Sequence, residues 1–164
     1  MLPKEVIVEH RLTIDLRLLF LSLLVILTVL FLISGCGKKE ETLTFTAPAG
    51  EKMEAFLDGS DGFHMENYSG TLLVYQKKKV MLKVAFLTKE QEQAQRASII
   101  TMPFEIRKSE DNYISYGMAG PEGMVNYYMY PAFEGSDTWL FIATHLPKET
   151  AEKVQSRLHF RKIS

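Results

Sequence analysis

Thr71-Leu72-Leu73-Val74-Tyr75-Gln76-Lys77-Lys78-Lys79-Val80-Met81-Leu82-Lys83-Val84-Ala85-Phe86-Leu87, running straight into Thr88-Lys89-Glu90-Gln91, is the stretch on which the fold turns. Thr71–Gln76 and Val80–Leu87 are rich in Val, Leu and aromatic residues, the composition of strands that sit on a pleated, half-buried surface. A lysine turn separates them, which predicts a hairpin. At Thr88 the pattern changes. Thr88 as N-cap with Gln91 three residues on is a capping box. The Gln-, Glu- and Ala-rich run to Ala97 favours helix, so the spacing predicts a largely exposed helix of about ten residues after the hairpin.

Further along the chain, four more strands are expected: Ile99–Lys108, Tyr113–Met118, Met124–Tyr130 and Thr138–His145. Ser109-Glu110-Asp111-Asn112, Gly120-Pro121-Glu122-Gly123 and Glu134-Gly135-Ser136-Asp137 supply the turns between them. A second helix is expected over Pro147–Arg157, with Pro147 suited to a helix start and Ala151, Val154, Gln155 and Leu158 on one face. Towards the N-terminus, Leu43–Thr46 and Phe63–Asn67 have strand composition. Glu51–Leu57 is ambiguous, and Asp58-Gly59-Ser60-Asp61-Gly62 is a turn cluster. The fold class implied for residues 43–164 is α+β, a mostly antiparallel sheet with one or two covering helices. In element order alone it resembles the small lipoproteins of the PsbP-like class, a likeness that carries no function.

Before this domain lies an apolar run, Leu18 to Ile33, interrupted only by Ser22 and Thr28. It is apolar all round, unlike an amphipathic core helix. Its length falls between a signal-peptide h-region and a membrane span. The edge decides: Ile33-Ser34-Gly35-Cys36 places two small residues before the only cysteine of the 164-residue chain. This resembles the lipobox of bacterial lipoproteins. The resemblance implies a diacylglyceryl group on the Cys36 thiol, cleavage before Cys36, and often acylation of the freed amine. Two acyl chains hold a protein stably to a bilayer where one does so only marginally.

The expected organisation is therefore a hydrophobic signal or anchor helix within a 1–35 signal peptide, a lipidated cysteine and polar tether over 36–42, and one domain from 43 to 164. The partner implied is the membrane, through lipid on Cys36, with the domain facing the periplasm or exterior. In Gram-negative lipoproteins an aspartate directly after the cysteine favours inner-membrane retention; Gly37 stands there, so in a Gram-negative source the resemblance implies the outer membrane, and otherwise the cell membrane. An uncleaved single-pass anchor is the alternative, since the segment from Met1 to Arg17 balances Lys4, Arg11 and Arg17 with Glu5, Glu9 and Asp15.

A net charge of −1 offers no footprint for nucleic acid. The one basic run, Lys77-Lys78-Lys79, reads as a solvated turn. His64, His145 and His159 show no metal-ligand spacing, and no phosphate-cradling loop or nucleophile elbow is present. Asp58–Gly62 lacks the closing glutamate of a calcium loop. No metal, cofactor or catalytic set is expected. The unusual feature is Tyr127-Tyr128-Met129-Tyr130, with Trp139 nearby: one strand face is expected in the core, the other as an exposed aromatic strip in which Tyr128, Tyr130 and Trp139 bind a partner or small ligand. The function expected is a lipid-anchored envelope protein, a non-enzymatic binding or structural module, with an enzyme assembled from dispersed residues as the alternative.

Overall fold

A computed structural model describes residues 39–163; the apolar run, the Ile33–Cys36 sequence and the expected cleavage point lie outside the described residues. Ten strands and two α-helices follow in the order β1 (Glu40–Thr46), β2 (Lys52–Asp58), β3 (Phe63–Tyr68), β4 (Thr71–Gln76), β5 (Lys79–Leu87), α1 (Lys89–Thr101), β6 (Glu105–Glu110), β7 (Tyr113–Gly120), β8 (Gly123–Pro131), β9 (Trp139–Thr144), α2 (Lys148–Gln155) and β10 (Leu158–Lys162). The α+β expectation with a mostly antiparallel sheet holds for these residues.

The strands form two sheets, β1-β2-β10 and β3-β4-β5-β9-β8-β7-β6, every pairing antiparallel. The expected hairpin is the pair β4–β5, closed by a two-residue loop at Lys77-Lys78 because Gln76 pairs with Lys79. A register shift after Val74 puts Met81 beside Leu82, so both bury in the same core.

Each face of the large sheet is covered by something different. On one face, Leu72, Val74, Leu82, Val84, Leu140, Ile142 and Tyr128 pack against Ala55 and Leu57 of β2, Leu158 of β10, and Ala151 and Val154 of α2. On the other, Ile114, Tyr116, Met129 and Trp139 pack under Ile99 of α1. The alternation along β8 and β9 is what sends successive side chains to opposite cores.

Four local readings change. Residues 99–101 belong to α1, not to a strand. Ile99 buries completely among the aromatics of the sheet, and this contact outweighs the strand preference of Ile99-Ile100-Thr101. The helix stops because Met102, ahead of Pro103, is forced into extended backbone (φ −104°, ψ 158°). The ambiguous segment at 51–57 is β2, the central strand of the small sheet. Leu158, expected on the apolar face of the last helix, instead opens β10 (Leu158–Lys162), which completes that sheet. Strand structure also begins at Glu40, inside the segment expected as a tether to residue 42.

Candidate functional site

Helix α1 builds one wall of a recess on the sheet. Its capping box forms as the sequence implies: the Gln91 amide donates to Thr88 Oγ1 (3.3 Å) and the Thr88 amide to Gln91 Oε1 (2.9 Å). One turn further, Glu92 is 5 % exposed. A carboxylate buried to that degree requires a partner, and Arg96 Nε supplies it at 2.7 Å, one helical turn away. The same guanidinium donates to the carbonyls of Glu110 (3.1 Å) and Asp111 (3.3 Å) in the β6–β7 turn. Its central carbon stands 6.0 Å from the ring centre of Trp139. Arg96 thereby fixes helix, turn and indole in one geometry.

The recess that results encloses about 620 Å³. Trp139 and Pro131 form its apolar floor; Lys89, Glu92, Gln93 and Arg96 line one side, Asp111 and Asn112 another, and Glu134–Asp137 the third. With Glu92 taken up by Arg96, the remaining carboxylates at Asp111, Glu134 and Asp137 face one lysine, Lys89, so the mouth is acidic. The β8–β9 loop is held by Glu51, whose carboxylate accepts from Ser136 Oγ (2.8 Å) and from the Thr138 amide (3.1 Å). Burial raises the Glu51 pKa, but the hydrogen bonds from Thr138 and Ser136 and the Lys162 ammonium outweigh it and leave the carboxyl below its ordinary value.

The sequence-chosen aromatics divide between the two faces. Trp139, 7 % exposed, is the floor of the recess. Tyr128 and Tyr130 lie on the opposite face, Tyr128 2 % exposed in the core and Tyr130 partly buried beneath α2. The expected exposed strip is corrected: both faces of β8 are covered, one by the small sheet and α2, the other by α1, so neither presents a free aromatic row. Tyr127 instead belongs to a stacked ladder, with Tyr116 at 4.9 Å and Phe141 at 5.6 Å between ring centres. Burial, with the Tyr113 and Tyr128 hydroxyls beside it, pushes the Tyr130 phenol well above its ordinary value.

A second hollow of about 410 Å³ lies on the α1 side of the sheet, lined by Lys83, Glu122, Tyr127 and His145 among others. The other two histidines are elsewhere: His64 on β3 stacks on Tyr75 (4.9 Å, 6° between planes), and His159 is on β10 of the small sheet. Among the described residues no group of three or more His, Cys, Asp or Glu side chains is placed to hold a metal ion. No helix among them is long and apolar enough to cross a membrane.

The residues that shape the main recess, Glu92 and Arg96, were missed by the sequence reading. Their signal is a Glu-to-Arg pair one turn apart on a helix, which is ordinary on a solvated face; only the tertiary burial of Glu92 sets it apart. Comparison with family models, with characterised proteins and with solved structures yields no match to this chain.

Proposed function

We propose that this chain is a lipid-anchored cell-envelope protein, tethered through Cys36, whose folded domain is a non-enzymatic binding module with the recess over Trp139 as its recognition site. The anchor rests on Ile33-Ser34-Gly35-Cys36 at the end of the apolar run. The observation that carries the binding reading is Arg96. All three guanidinium nitrogens are engaged within the protein, so the recess is held open before any ligand arrives, and a preformed site loses little freedom on binding. An apolar floor under an acidic, amide-bearing rim suits a polar partner segment or a hydroxyl-rich ligand stacked on the indole.

Two measurements test this. Intact mass of membrane-extracted protein, compared with Cys36→Ser, is expected to show a chain starting at Cys36 with added acyl groups; a full-length, unacylated mass would sink the lipid anchor and promote an uncleaved span. Trp139 is the only tryptophan of the chain, so ligand entry reads out in its emission. Titration with cell-wall glycan fragments and envelope protein fractions is expected to shift that emission, and Asn112→Ala with Gln93→Ala to weaken the response.

One observation favours an enzyme as second reading: His145, Glu122, Lys83 and Tyr127 share a single hollow, which assembles a base, an acid and an amine. That reading requires hydrolysis of a general ester, peptide or glycoside substrate that His145→Ala abolishes.

A further inference from the structure

The lysine turn and the start of the domain meet at one end of the molecule. The Gly59 amide donates to the carbonyl of Lys39 (2.7 Å), and the Lys77 amide donates to the carbonyl of Gly62 (2.8 Å). A Cβ on Gly59 would stand 2.5 Å from the Lys39 carbonyl oxygen, and one on Gly62 would stand 3.4 Å from Lys77 Cγ. The short turn Ser60–Gly62 therefore bridges the first described residue to Lys77, Lys78 and Lys79.

The charges at this end are unbalanced. Lys39, Lys77, Lys78 and Lys79 are exposed and form no ion pair among the described residues. The acidic groups of the bridging turn are already engaged: Arg157 lies 2.6 Å from Asp61 and 3.7 Å from Asp58. Glu40 and Glu41 are the remaining carboxylates at the strand end, and Glu41 is taken up by the Met65 amide at 2.9 Å. Lys77 also holds a left-handed backbone, φ +58°, in a two-residue loop where glycine sits without strain. A turn that keeps a lysine at such a position points to a use for the charge.

Cys36 is three residues from Lys39, a reach of about 10 Å at full extension. That is comparable to the screening length of roughly 8 Å in physiological salt. We propose that this end of the domain faces the bilayer and that Lys77, Lys78 and Lys79, with Lys39, bind the phosphates of anionic lipid headgroups, orienting the domain on its anchor. The proposal rests on the Cys36 anchor reading. It turns the lysine run from a solvated loop into the second half of a two-part attachment, acyl chain plus basic patch.

The test uses the full chain as extracted from its membrane, reconstituted into vesicles of phosphatidylcholine alone or with one third phosphatidylglycerol. Lysine acetylation rates are read by mass spectrometry at low and high salt. Lys89 is the internal reference, because it follows the far end of β5, about 30 Å of strand away. In the anionic vesicles Lys77–Lys79 should label about fivefold more slowly, the factor expected for a lysine at an anionic surface, with high salt restoring the rate and Lys89 unchanged. Equal rates in the two vesicle types, slowing that salt does not relieve, or equal slowing of Lys89 would each overturn the proposal. The intact mass of the same preparation reads the anchor separately, so a missing acyl group and an idle lysine turn are distinguishable failures.

Discussion

Tyr128 and Tyr130 offer a test in which two neighbouring tyrosines on one sheet face respond with opposite sign to the same atom's removal. The Tyr128 hydroxyl is buried without a hydrogen-bond partner among the described residues, while the Tyr130 hydroxyl donates to Gln155 Oε1 of α2 at 3.1 Å. An unpartnered buried polar group costs roughly 1–3 kcal/mol, and a satisfied neutral bond contributes about 1 kcal/mol net. Tyr128→Phe deletes only the unpaired oxygen and keeps the ring against its core neighbours, so it should stabilise the domain by about 1 kcal/mol. Tyr130→Phe breaks the link to α2 and leaves both ends of the Gln155 side chain without a partner among the described residues, because its Nε2 already has none there; it should destabilise by a similar amount. The assay is urea unfolding of the detergent-solubilised chain followed by Trp139 emission. With a slope of about 1–3 kcal/mol per molar urea, the two midpoints should part by on the order of 1 M, one above the parent and one below. A Tyr128→Phe variant that unfolds earlier than the parent with unchanged slope would refute the reasoning, since the hydroxyl would then have been contributing a bond.

Ile99→Ala should cost about 3 kcal/mol, the usual loss for an isoleucine truncated in a core, and should release α1 first, seen as faster amide exchange over Lys89–Thr101. Glu51 sets a pH dependence. Its carboxyl sits below the ordinary 4.5 in the folded chain, so the stability it contributes is present above about pH 4.5 and is lost as pH falls through the lower folded value. The gap in urea midpoint between the parent and Glu51→Gln should accordingly narrow on acidification. Lys77→Gly should raise stability by about 1 kcal/mol through relief of a left-handed backbone, measured by the same unfolding curve, while removing one positive charge from the lysine turn.

The β4–β5 hairpin, the capping box at Thr88 and the order of the later strands were legible because each rests on local rules: strand composition, turn residues and a side chain returning to its own backbone. The end of α1 was not, since whether Ile99 is strand or helix depends on the aromatic floor it meets from β7, β8 and β9. The small sheet escaped notice for a related reason. Its strands β1, β2 and β10 come from opposite ends of the domain, and nothing local to Leu158–Lys162 announces that Lys52–Asp58 is waiting for it.

The site divides in the same way. Sequence alone determined that the chain carries a small-residue and cysteine edge after an apolar run, a lysine run, and a concentration of aromatics around Tyr127–Tyr130, because these are facts of composition and adjacency. Tertiary structure decided that Tyr128 is core while Trp139 floors a recess, that Glu92 and Arg96 brace that recess, and that the turn at 59–62 ties to both Lys39 and Lys77. The physical reason is that burial and proximity belong to pairs of elements: which face of a strand is wet, and which turns touch, are set only when a second sheet and two helices have taken their places against it.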